Sequence, residues 1–225
     1  MQLDQVVPWG RSFDEYRAMF ALSPADLGRR ILGCGDGPAS FNATLSKQGG
    51  QVVSCDPVYQ FTADDIRRRI DAVYPDILAK MTQEADRYLW STIPDVAALG
   101  RTRQAAMADF LTDYAGPGAL SRYVAASLPA LPFADRRFEL ALCSHYLFLY
   151  SDHVDTAGHI AGLQELCRVA NEVRVFPLVD LDGNLSRHLQ PATEALMEAG
   201  LEVTREPVPY RFQKGATDML VLKRT

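Results

Sequence analysis

The stretch Arg30-Ile31-Leu32-Gly33-Cys34-Gly35-Asp36-Gly37 decides the fold of this chain. A short apolar run breaks into glycines at alternate positions, as a strand entering a tight turn does. Glycine there permits a positive φ and lets a ligand approach the backbone. Residues 39–48 are helix-compatible and stop at Gly49-Gly50, a C-cap signal. Gln51-Val52-Val53-Ser54-Cys55-Asp56 then reads as a second strand, closed by Pro57. These pieces make one βαβ unit in about 27 residues, near the minimum for a right-handed crossover.

Upstream, Ser12 and Glu15 form a capping box before a helix whose apolar stripe is Tyr16, Met19 and Phe20. Ser23-Pro24-Ala25-Asp26 starts a second helix, with Pro at its first position. Residues 1–28 therefore read as an N-terminal helical lid. Downstream, residues 61–119 are helical and polar, with breaks at Pro75, Ile93-Pro94 and Gly116-Pro117-Gly118. A segment of that size is too long for a loop and reads as a helical cap over the sheet. Strand patterns return at residues 122–127, 138–144 and 172–179, with a helix at 154–170. A helix at 189–199 and two alternating runs, 201–208 and 218–222, complete the chain. This order predicts a single α/β domain over residues 1–225, its mostly parallel seven-stranded sheet ending in an antiparallel edge hairpin.

Composition narrows the function. The net charge is −5, and the densest basic run, Arg67-Arg68-Arg69, follows Asp64-Asp65 and precedes Asp71, so it reads as a solvated helix face. The basic stripe that a nucleic-acid partner requires is missing, which favours a small-molecule substrate. No window approaches 18 uncharged apolar residues, so no membrane-spanning helix is expected. The first eight residues lack the basic start and apolar core of a signal peptide, which predicts a cytoplasmic protein. Cys34, Cys55, Cys143 and Cys167 show no C-x-x-C pair and no His partner at metal-ligand spacing. They read as small apolar fillers kept reduced, and no metal site is expected. Oligomeric state is left open.

Asp56 ends the second strand 19 residues after Gly37, where a carboxylate accepts both hydroxyls of a ribose. The glycine spacing is G-x-G-x-G, shorter than the G-x-G-x-x-G that seats a pyrophosphate. A ligand with an adenosine and no phosphate, such as S-adenosylmethionine (SAM), suits both features.

On these residues the chain resembles the class I SAM-dependent methyltransferases, with their Rossmann-like fold. Gly33, Gly35 and Gly37 match the family's first motif, and Asp56 matches the acidic end of its second strand. Leu131-Pro132-Phe133-Ala134-Asp135-Arg136-Arg137-Phe138-Glu139-Leu140 matches the lead into its fourth strand. The resemblance covers residues 30–57 and 123–225, and leaves out the cap and the first 25 residues. It implies SAM as cosubstrate or sole substrate, held by Gly33, Cys34, Gly35, Asp36, Gly37, Asp56 and Pro57. The family's acid at the end of the third strand is missing here, so adenine recognition passes to Ser127, Leu128 and backbone groups. Asp36, inside the turn, is read either as a ligand contact near the methionine moiety or as a plain turn aspartate.

The reactive end lies past the fourth strand, beside Ser144, because ligands sit at the carboxyl ends of parallel strands. His145 is the candidate general base, with a structural histidine as the alternative. Trp9, Tyr16, Tyr146 and Tyr150 flank the expected sulfonium position, where an aromatic face stabilises a cation, while Phe148 reads as packing. Tyr16 and Tyr150 are thereby candidate catalytic residues. Arg11 is read as the partner of the methionine carboxylate. Asp152 is read as a helix N-cap, and His159 and His188 as isolated histidines. Methyl transfer to a small acceptor leads. One alternative is a SAM cyclase giving azetidine-2-carboxylate and methylthioadenosine, to whose methyltransferase-like members this chain is diffusely similar. The other is a non-catalytic SAM sensor.

Overall fold

The computed structural model describes residues 8–224. Residues 1–7, which carry most of the signal-peptide reading, lie outside the described residues. Ser12 and Glu15 cap α1 (Phe13–Met19) with the reciprocal box expected of them, and Ser23 and Asp26 do the same for α2 (Pro24–Leu27). Then β1 (Arg30–Cys34), α3 (Phe41–Lys47) and β2 (Gln51–Cys55) form the βαβ unit, the two strands parallel and in register from Arg30↔Gln51 to Cys34↔Cys55.

Two long helices follow β2. α4 (Ala63–Gln83) runs straight through Pro75, where the sequence had suggested a break. Proline removes one helical donor there, on the exposed side of the helix, while Ile66, Ile70, Ile77 and Met81 stay buried along the other. α5 (Val96–Tyr114) begins after the Ile93-Pro94 break, capped by Asp95. These helices share an apolar core with Trp9, Tyr59 and Tyr123. Residues 87–89 leave α4 to join the far end of the chain: the Leu89 amide donates to the Phe212 carbonyl at 2.7 Å, and the Lys214 amide to that of Arg87 at 3.0 Å.

β3 is only Tyr123–Val124, shorter than the expected 122–127, because the chain turns back through a bridge between Ser127 and Ala130. β4 (Phe138–Ser144), α6 (Thr156–Val169), β5 (Ala170–Phe176), α7 (Leu189–Glu198), β6 (Leu201–Pro207) and β7 (Asp218–Arg224) complete the fold. β5 stops before Pro177 instead of reaching 179, since proline has no N–H for the ladder. The N-cap of α6 is Asp155, which accepts the Gly158 amide at 2.8 Å; Asp152, expected in that role, pairs with Arg187 instead. The sheet order is β3-β2-β1-β4-β5-β7-β6, parallel from β3 to β5, with β7 antiparallel to both its neighbours. Alternation along each strand fills both faces: Leu32, Ala141 and Cys143 on one side with α6 and α7, Ile31, Leu140 and Leu142 on the other with α1 and α3. Cys34 sits in register between Cys55 and Cys143, three buried thiols in a row. Hydrogen bonding from Cys143 and Cys55, together with burial, holds the Cys34 thiol protonated.

Candidate active site

The carboxyl ends of β1, β2 and β4 meet at the glycine turn. Gly35 and Gly37 adopt positive φ values of 70° and 52°, so the turn requires glycine at both. A side chain at Gly35 would also collide with Tyr146, which packs over the turn. The Gly37 amide donates to Asp56 at 2.9 Å, and the Val58 amide to the other Asp56 oxygen at 2.8 Å. The carboxylate is thus fixed at the end of β2, with lone pairs left for a further donor. Pro57 opens the 3-10 turn that Asp56 caps.

Gly33 serves another purpose. A Cβ there would overlap the carboxylate of Asp36, which is turned inward and 7% exposed. Tyr16 donates its hydroxyl to Asp36 Oδ1 at 2.8 Å and Ser54 to Oδ2 at 2.6 Å. Asp36 is therefore a buried tie between α1, the turn and β2. Tyr16 gives its phenol to Asp36 and does not line the cleft described next. Burial, reinforced by nearby Asp56, pushes the Asp36 carboxyl up to about 7 although both hydroxyls oppose the shift.

Beside the turn opens a cleft with a cavity volume of about 90 Å³. It brings together Trp9, Arg11, His145 and Tyr150 from the sequence reading. His145 follows β4 with a φ of 51°, a left-handed conformation uncommon for a side-chain-bearing residue. Its Nδ1 is hydrogen-bonded to the Ser144 hydroxyl at 3.0 Å. Burial, then the charges of Arg11 and Arg103, push its pKa well below the usual value, so the imidazole is neutral at pH 7. Ser127 and Leu128 are not brought here: Ser127 is exposed in the turn after β3, and Leu128 packs in the core near Gly162 of α6. His159 and His188 stack on each other at 4.5 Å away from the cleft, and Phe148 stacks on His159 as packing.

No family model matches the chain. It is 28% identical over 226 residues to an uncharacterized protein of Methanocaldococcus jannaschii, covering 100% of this chain and 99% of that one. Among solved structures it aligns with the mitomycin 7-O-methyltransferase MmcR at a TM-score of 0.51 and 14% identity, over 95% of this chain and 54% of that one. It aligns equally with the magnesium protoporphyrin IX methyltransferase ChlM of Synechocystis PCC 6803, a structure with bound S-adenosylhomocysteine (SAH). There the TM-score is 0.50 and the identity 12%, over 95% of this chain and 83% of that one. The fold is that of the class I methyltransferases.

On the class I fold this chain adds cleft residues that sequence reasoning missed. Glu15 accepts from the Ser12 amide at 2.9 Å and the Tyr210 hydroxyl at 2.8 Å, and is ion-paired with the buried Arg103. Burial would raise its pKa, but Arg103 holds it down at about 2. Arg103, Tyr88, Tyr210 and Phe212 line the cleft, the last stacked on Tyr88 at 4.9 Å. Only the Ser12–Glu15 spacing could have flagged any of this, and it spoke for a cap alone.

Proposed function

We propose that the chain transfers the methyl group of SAM to a small acceptor held in the cleft. The place of the cleft carries the reading. It lies past β4 and β5, beside a glycine turn and an Asp56 carboxylate shaped for an adenosine, on a class I fold. In this reading the backbone of residues 33–37 faces the cofactor and Asp56 takes the ribose hydroxyls. The sulfonium then points toward His145, Tyr150 and Trp9.

Transfer is an in-line displacement. The methyl carbon forms a bond to the acceptor as its bond to sulfur breaks, and sulfur keeps the electron pair. A hydroxyl or thiol acceptor gives its proton to neutral His145. The enclosed, largely apolar cleft supplies orientation and keeps water from the electrophile.

Incubating the purified chain with SAM, alone and with small-molecule cell extract, tests this by mass spectrometry. SAM intact alone and converted to SAH with extract is the expected result. Methylthioadenosine and azetidine-2-carboxylate from SAM alone would overturn it in favour of cyclisation. In isothermal titration, Asp56→Ala is expected to weaken SAH binding at least tenfold, about 1.4 kcal/mol; a change within threefold would remove Asp56 from the ribose.

A further inference from the structure

Among the described residues the lining of the cleft holds Arg11 and Arg103 and no aspartate or glutamate. Glu15, just behind the wall, neutralises Arg103. Arg11 forms no ion pair with a carboxylate among the described residues, and Glu15 acts on its charge only at longer range. Its Nη1 donates to the Trp9 carbonyl at 2.8 Å, while Nε is sealed from solvent with no partner. Nη2 also has no described partner, and Nε and Nη2 together form the edge of a guanidinium that grips a carboxylate with two parallel hydrogen bonds. A guanidinium held deep in a protein beside a second one is costly until an anion joins it. Burial and neighbouring Arg103 already lower the Arg11 pKa.

The other walls describe the rest of the ligand. Trp9, Met81, Tyr88, Phe176 and Phe212 present broad apolar surfaces, and none of residues 33–37 lines the cleft. The adenosine therefore lies outside the cleft. We propose that the acceptor is a flat, apolar molecule bearing one carboxylate, which Arg11 grips through Nε and Nη2. The carboxylate is a handle that orients a different group toward the sulfonium, because pairing with a guanidinium makes it a poorer nucleophile. This rests on the methyl-transfer reading and names the substrate class for it.

Isothermal titration of the full chain, with and without SAH, can use indole-3-carboxylate and its neutral isostere indole-3-carboxamide. The acid is expected to bind at least tenfold more tightly than the amide. Arg11→Gln should abolish that preference and leave SAH affinity within twofold. Arg11→Lys, which keeps the charge and loses the fork, should lose most of the preference; this second variant guards against a folding defect in the first. Equal binding of acid and amide, binding of neither, or full preference in Arg11→Lys would overturn the proposal. So would a tenfold loss of SAH affinity in Arg11→Gln, which would assign Arg11 to the methionine carboxylate. An acid-selective cleft in a protein that never yields SAH would keep the carboxylate site on Arg11 and sink the transfer reading, and with it the ligand's role as acceptor.

Discussion

Gly33 lacks a side chain because Asp36 needs the room, and that exchange fixes the chemistry of the turn. Asp36 is buried against the hydroxyls of Tyr16 and Ser54, with Asp56, Tyr59 and Tyr123 near enough to feel its charge. Its carboxyl titrates near 7 in the folded chain, against 3.8 for an unperturbed aspartate, so the folded state holds the proton more tightly. The stability this adds is complete below about pH 4 and is lost as the pH rises through 7, with a limiting slope of about 1.4 kcal/mol per pH unit. Asp36→Asn should flatten the dependence of Tm on pH between 4 and 7, measured by thermal melts at fixed ionic strength. An unchanged profile would show that Asp36 does not titrate there. The glycine spacing was legible in the sequence, whereas the inward tie of Asp36 was not. Its partners lie 20 and 18 residues away, and no local pattern marks an aspartate that folds inward.

At the scale of elements, Pro75 shows where punctuation misleads. α4 keeps its buried stripe on both sides of the proline, so packing against α5 outweighs the lost hydrogen bond. Pro75→Ala should therefore stabilise the chain by about 1–3 kcal/mol in urea denaturation, since it restores a donor without touching the core. The seam between residues 87–89 and 211–214 was illegible for a different reason. A bridge such as Tyr88↔Gln213 joins loops, which carry no periodic signal. Phe212 covers Tyr88 and Trp90 in that seam. Phe212→Ala is expected to speed release of a bound indole acid several-fold in stopped-flow fluorescence, with hydrogen exchange at Leu89 and Lys214 rising before that of β1 or β4.

Across the whole molecule, Glu15 ties together parts of the chain that are far apart in sequence. Its partners, Arg103 and Tyr210, lie 88 and 195 residues away. Glu15→Gln would leave Arg103 buried beside Arg11 without compensation, at a cost of about 3–5 kcal/mol in equilibrium unfolding. Because the Glu15 pKa is depressed, its contribution is present above about pH 4.5 and fades as the pH falls through 2. A Gln variant losing under about 1 kcal/mol would show the tie to be incidental. The βαβ core and the edge hairpin could be read ahead because neighbouring residues encode them. The cleft could not, because it exists only where residues 9–11, helices α4 and α5 and the loop between β6 and β7 converge.

That convergence has a consequence in time. Ribosomes make the glycine turn and Asp56 early, and the loop that meets Tyr88 only after more than 150 further residues have emerged. On the proposed reading, a chain grown past β4 holds every strand that flanks the glycine turn before it has the loop that would shut an acceptor in beside SAM. Enclosure waits for residues 211–214, so on that reading the synthesis of this loop sets when SAM and acceptor can first be brought together.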